Sequence, residues 1–193
     1  MKSNFKTIGL AMILVFAFVI SSNAQVRNGR NSKTVTVKST RTVSRAIPRT
    51  KVVYKTPKKK VVTYRTIPSK AVVINHNNRT YHYVNSKFYN VYNGRYIVVA
   101  PSIGLRIRSL PIGYRTIKFN NRNYFFFDGV FYQSYDKEYQ VVQPEVGTIV
   151  YELPDEAEKV VLDNQEYYEY NDVLYEKIQY QGTRAYEVVA IIE

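Results

Sequence analysis

Residues 104–146 read GLRIRSLPIGYRTIKFNNRNYFFFDGVFYQSYDKEYQVVQPEV. Val, Ile, Tyr, Phe and Thr dominate, in short runs cut by Asn, Asp and Gly. Side chains of this kind suit the pleated, half-buried surface of a strand. Asp128-Gly129, set between aromatic runs, is a two-residue hairpin signal, because both residues accept positive φ. Phe125-Phe126-Phe127 has no polar alternation, so it must bury both faces and reads as a central strand.

The same pattern stands on either side. Residues 61–103 and 147–189 align with 104–146 at a spacing of about 43. Pro68, Pro111 and Pro154 coincide, as do Tyr81, Tyr124 and Tyr167, and Tyr89, Tyr132 and Tyr175. Tyr96 and Tyr139 also coincide, but Tyr186 falls four residues late. The third copy therefore carries a four-residue insertion, placed here in a longer hairpin loop near Gln181-Gly182. Turns are expected after each shared proline, at Ser69-Lys70, Ile112-Gly113 and Asp155-Glu156. Further turns fall at Asn77-Asn78, Asn120-Asn121 and Asp163-Asn164, then at Asn85-Ser86, Asp128-Gly129 and Asn171-Asp172, and at Asn93-Gly94. Each copy should thus hold about four short antiparallel strands. Asp155–Lys159 has room for one helical turn.

A unit of this length cannot bury enough surface alone, whereas three copies sharing faces can. The predicted fold is all-β: three tandem repeats, 61–103, 104–146 and 147–193, forming one body. Stacked sheets, a continuous meander and a closed barrel all fit the pattern.

The chain opens with Lys2 and Lys6, an apolar run from Ile8 to Ile20, and Ser22 and Ala24 at the −3 and −1 positions. This is the order of a cleaved secretory signal over residues 1–24, and the run is too short to span a membrane. The expected location is therefore outside the cytoplasm: periplasm, outer cell surface or secreted. The chain has no Cys, which rules out disulfides, thiolate metal sites and Cys nucleophiles.

Charge is segregated. Residues 26–70 hold 14 Lys or Arg and no acid, and all 15 acids lie at or beyond Asp128. Residues 153–193 carry 10 acids against 3 bases. Residues 25–60 thus form a basic arm, read as either disordered or extended and adding strands to the first repeat's edge. Lys51, Lys55, Lys58, Lys59, Lys60 and Arg65 are the candidate anion-binding residues, since cations on a mobile arm collect phosphates and other polyanions. Export argues against nucleic acid and for anionic envelope polymers or lipopolysaccharide. The acidic third repeat could also attract the basic arm of its own chain or of another copy.

The repeated pattern resembles an uncharacterised family of exported bacterial proteins, domain of unknown function 6515, with tyrosine-rich LPxGY, YYYxxGxYY and YxVVxPPxG units. The residues that carry the likeness are Ser109–Tyr114, Tyr124–Tyr132 and Tyr139–Gly147. The third copy departs with Asp155-Glu156-Ala157, and the first with Ser69-Lys70. The resemblance implies export and repeat architecture, and no activity.

Catalytic signals are sparse. The only histidines, His76 and His82, take the repeat slots of Phe119 and Phe125, which suits packing better than a metal. There is no GxSxG motif and no calcium-loop motif. Acids from Asp155 to Glu169, including Asp163 and Glu166, read as a solvated face. No cofactor, metal or catalytic residue is expected. Tyr92, Tyr135, Tyr151 and Tyr180 lie off the shared slots and should be exposed. They support an alternative function, a carbohydrate-binding or protein-scaffold module. The favoured function is a non-catalytic envelope protein that is structural or binds anionic components through its arm.

Overall fold

Positive φ at paired turn residues organises this chain. The computed structural model describes residues 46–55 and 61–193. The expected signal segment 1–24, and residues 25–45 and 56–60 of the arm, lie outside the described residues. Asn77 and Asn78, Asn120 and Asn121, and Asp163 and Asn164 all take left-handed backbone, as do Asn85 and Ser86, Asp128 and Gly129, and Asn171 and Asp172. Two consecutive left-handed residues make a tight turn whose twist matches the flanking strands. Each predicted Asx-rich turn is therefore a two-residue hairpin.

Before the repeats, β1 (Ala46–Ile47) and β2 (Val53–Tyr54) flank a single 3-10 turn, Arg49–Lys51. The first repeat contains β3 (Thr63–Tyr64), β4 (Val72–His76), β5 (Arg79–Val84), β6 (Lys87–Tyr92) and β7 (Arg95–Val98). The second contains β8 (Arg106–Ile107), β9 (Arg115–Phe119), β10 (Arg122–Phe127), β11 (Val130–Tyr135) and β12 (Glu138–Val142). The third contains β13 (Ile149–Val150), β14 (Glu158–Leu162), β15 (Gln165–Tyr170), β16 (Val173–Tyr180) and β17 (Thr183–Ile192). Each repeat is an antiparallel meander of four strands, with a fifth, two-residue strand added beside the last. That short strand was not foreseen, because two residues carry no readable period.

The shared prolines each open the same turn, with Ala71, Tyr114 and Ala157 N–H donating to the carbonyls of Pro68, Pro111 and Pro154. Asp155–Lys159 is this turn followed by the start of β14, not a helical turn. Among the described residues there is no α-helix. The insertion in the third copy is not a longer loop. Gln181-Gly182 is a two-residue turn, and β16 is eight residues long where β6 and β11 are six. The extra residues extend both strands of the hairpin, so Tyr186 faces Lys177 as Tyr139 faces Ser134 and Tyr96 faces Val91.

The three sheets are stacked, one to each repeat, and the third also takes in β1 and β2. One face of the first sheet, with Tyr81 and Phe88, packs on Leu105, Ile107, Val130, Tyr132 and Val141 of the second repeat. The other face of the second sheet, with Tyr124, Phe126 and Phe131, packs on Val150, Val173, Tyr175 and Val188 of the third. The face turned towards the next repeat is called forward here, and its opposite the rear face. Phe125 and Phe127 join the first interface and Phe126 the second, so the aromatic run is covered on both sides. Its strand β10 lies between β9 and β11, one place off the middle of the sheet.

The described part of the arm, residues 46–55, adds its strands to the third sheet and not to the first. β1 pairs parallel with β17 and β2 pairs antiparallel with β14, so residues 46–54 run from one edge of the third sheet to the other. Val52 is buried on the way, against Val160, Tyr167, Leu174, Ala190 and Ile192. This strap covers the forward face of the third sheet, the counterpart of the faces that the first two sheets bury against the next repeat.

Candidate functional site

The strap reaches its place because apolar and basic residues alternate along it. Val52 turns into the third core while Arg49 and Lys55 stay at the surface. Arg49 donates to Asp172 and also to the Tyr54 hydroxyl, and its N–H donates to the Glu193 carbonyl. Lys55 donates to Glu166, and its N–H to the Lys159 carbonyl. The Tyr54 hydroxyl donates to Glu169, which also accepts the Asp172 N–H.

These contacts move the titrations. The hydrogen bond from Lys55, backed by its charge, holds the Glu166 carboxyl below the usual range. The hydrogen bond to Asp172 raises Arg49 above its ordinary value. Burial, followed by the charge of Glu169, pushes Tyr54 up. Glu169 itself is raised, mainly by burial, against the pull of Asp172 N–H and Arg49. Both ion pairs are about half exposed, so solvent screens them and each contributes little.

Of the six basic residues singled out from sequence, Lys51 lies exposed in the 3-10 turn and Arg65 lies exposed just after β3. Lys55 is engaged with Glu166. Lys58, Lys59 and Lys60 lie outside the described residues. Among the described residues no acid pairs with Lys51 or Arg65. The first repeat adds exposed Lys70, Arg79, Lys87 and Arg95, again with no acid between residues 61 and 103. These cations went unnamed in the sequence reading, although their isolation from any acid was visible there.

The histidines are packing residues on opposite faces. His76 Nε2 lies 2.9 Å from the Ile103 carbonyl, and its ring would sit 3.3 Å from a Cβ at Gly104. His82 meets Tyr96 edge to face at 5.2 Å. Among the described residues no group of His, Asp and Glu is placed to hold a metal. The shared tyrosines are core residues: Tyr81, Tyr89, Tyr124, Tyr132, Tyr167 and Tyr175 are all buried. The off-slot Tyr92, Tyr135, Tyr151 and Tyr180 are exposed. Arg106 covers one face of Tyr135, its guanidinium carbon 3.8 Å from the ring centre. A shallow groove of about 430 Å³ is lined by Lys177, Ile178, Gln179 and Arg184 at the tip of the long hairpin.

Stacked tyrosine-rich repeats with this turn chemistry match one family over residues 52–192. The chain belongs to DUF6515, a family of unknown function. The DUF6515 match begins at Val52, so it takes in the buried residue of the strap and β2 as well as the three repeats. No curated protein and no solved structure matches this DUF6515 chain.

Proposed function

We propose that this protein is a non-catalytic, exported component of the cell envelope that binds anionic polymers, lipopolysaccharide among them, with the sheet stack as a rigid mount. The observation that carries this reading is the charge map. Residues 26–127 contain no acid, and the strap uses two cations, Arg49 and Lys55, on the third sheet. Lys51, Arg65 and, in the first repeat, Lys70, Arg79 and Arg95 face solvent with no carboxylate paired to them among the described residues. Such a surface binds by many weak contacts, each releasing counterions, so affinity must fall steeply with salt. Export rests on the reading of residues 1–24.

Exposed tyrosines support the second reading, carbohydrate binding, less well. Tyr151 and Tyr180 meet at 50°, which is no flat platform, and Arg106 already occupies a face of Tyr135. A full chain with Lys51, Lys58, Lys59, Lys60 and Arg65 changed to Gln tests the proposal, leaving Lys55 to hold the strap. Wild type should bind lipopolysaccharide vesicles at low salt and release at high salt, and the variant should bind at least about tenfold more weakly. Equal binding by the variant, or binding indifferent to salt, would overturn it. Salt-indifferent binding to a neutral polysaccharide, lost on changing Tyr92 and Tyr151 to Ala, would establish the second reading instead.

A further inference from the structure

The two interfaces inside the stack are one interface built twice. Ile74, Tyr81, Tyr83 and Phe88 on the first forward face recur 43 positions later as Ile117, Tyr124, Phe126 and Phe131 on the second. The rear-face residues they meet recur as well: Ile107, Phe125, Val130 and Tyr132 return as Val150, Tyr168, Val173 and Tyr175. One step further in each direction reaches the ends of the stack. The forward face of the third sheet presents Val160, Tyr167, Glu169 and Leu174 in the same slots. The rear face of the first sheet presents Tyr64, His82, Lys87 and Tyr89.

Both ends therefore keep the apolar and aromatic pattern of an internal interface. Each has one charged substitution in these slots, and the two are opposite in sign: Glu169 and Lys87. The wider charges agree, with no acid in residues 61–103 and 10 acids against 3 bases in residues 153–193. On the rear face of the first sheet Tyr89 and Val84 are buried, while positions around them are open to solvent. Val73 and Val91, which share it with His82 and Tyr96, are 56% and 47% exposed, and Tyr64 is 40% exposed. Among the described residues the forward face of the third sheet is covered by the strap alone, two two-residue strands and a single turn, whose ion pairs are half exposed.

We infer that the stack continues between chains. The forward face of one copy's third sheet seats on the rear face of the next copy's first sheet, taking the place of the strap. The contact joins two different surfaces, so it does not close on itself and leads to linear assembly. The strap, in this arrangement, is a cap that keeps the chain monomeric until it lifts.

Sedimentation velocity and electron microscopy of the full chain test this. Val52→Asp sets a carboxylate in the apolar contact beside an acidic sheet and should lift the strap. R49E/K55E should lift it through exposed residues alone, which protects the test if Val52→Asp fails to fold. Circular dichroism reports whether the sheets persist. Wild type should remain monomeric, and the strap variants should form species larger than two copies that grow with concentration. Adding Val73→Lys and Val91→Lys, both at exposed rear-face positions, should return them to monomers. Folded strap variants that stay monomeric would overturn the inference. So would assembly that stops at two copies, the mark of rear faces meeting each other, or growth unaffected by the rear-face lysines.

Discussion

Phe119 rests its ring on Gly147 so closely that a Cβ at that position would lie 2.8 Å from Phe119 Cζ. The same contact exists one repeat earlier, where His76 lies over Gly104 with a corresponding distance of 3.3 Å. Both glycines also hold positive φ, which strains any other residue. Gly182 has positive φ too, but nothing stands within 4 Å of its missing Cβ. The three positions therefore separate backbone strain from crowding. Gly182→Ala should cost about 1–2 kcal/mol, the strain alone. Gly147→Ala should cost about 1–3 kcal/mol more, because the Phe119 ring must move within a packed interface. Gly104→Ala should fall between them. Urea unfolding of the three variants checks the order, and equal losses would show that the rings yield freely.

The hydroxyls of Tyr124 and Tyr175 and of Thr148 are buried with no partner among the described residues. Tyr81 occupies the slot of Tyr124, yet its hydroxyl lies 2.7 Å from Ser102 Oγ. The residue equivalent to Ser102 is Glu145, which turns away to accept from Asn120 and Arg122. Tyr124 thereby loses its partner while keeping its place in the core. An unmade buried bond costs about 1–3 kcal/mol, whereas a made one contributes about 1 kcal/mol. Tyr124→Phe, Tyr175→Phe and Thr148→Val should therefore leave stability unchanged or raise it by up to about 1 kcal/mol each. Tyr81→Phe should lower it by about 1 kcal/mol. Thermal melts of the four single variants decide, and a loss in the first three equal to that of Tyr81→Phe would refute the assignment.

How much of this was legible in the sequence follows from where the information lies. Hairpins are local. Asn77-Asn78 and its counterparts specify their turns within four residues, and the 43-residue spacing then places every long strand. The repeat also told which tyrosines are buried, since a residue held in all three copies is one that packs between layers. The strap was not legible. KVVYK is short, basic and poor in large apolar residues, and its docking partners Val160 and Leu174 lie more than a hundred positions away. What creates its site is the apolar forward face of the third sheet, a property of the assembled stack rather than of any segment. The opposed charges pointed the basic arm at the acidic third repeat, and Arg49–Asp172 and Lys55–Glu166 are such pairs, but a charge map gives neither the face nor the register of docking. For the same reason the exposed cations of the first repeat emerged only when the strands were placed.

Asp128 takes the first position of the β10–β11 turn, at φ 46°, where Asn would serve as well. Burial raises its pKa, with Glu156 and then Asp155 and Glu152 adding to the effect and Lys87 opposing it. A carboxyl whose folded pKa is raised favours folding while protonated. That contribution is whole below the ordinary carboxylate pKa and is lost as the pH climbs through the raised folded value. Asp128→Asn removes the ionisation and keeps the turn. Its melting temperature should exceed that of wild type at pH 7 and equal it near pH 3. A variant less stable than wild type at pH 7 would mean that the attraction of Lys87 outweighs the three acids and the burial.

Burial and charge both hold the strap, and magnitude decides between them. Val52 is 7% exposed and packs in the third core, so cutting it to Ala removes two buried methyl groups. At about 0.8 kcal/mol per buried carbon, with a further term for the space left, the loss should be about 1.5–2 kcal/mol. The Arg49–Asp172 and Lys55–Glu166 pairs are about half exposed, so solvent screens them and they contribute little, less still in salt. Opening of the strap is local, so it is read by hydrogen exchange at the amides of Arg49, Val52 and Lys55, which bond to the carbonyls of Glu193, Arg49 and Lys159. In moderate salt, Val52→Ala should speed exchange at these amides by roughly tenfold or more, while R49Q/K55Q should change it only a few-fold. The two variants should diverge further as salt is added, because screening weakens the wild-type ion pairs and leaves the apolar contact intact. Faster exchange in R49Q/K55Q than in Val52→Ala would reverse the order and make the strap an electrostatic latch.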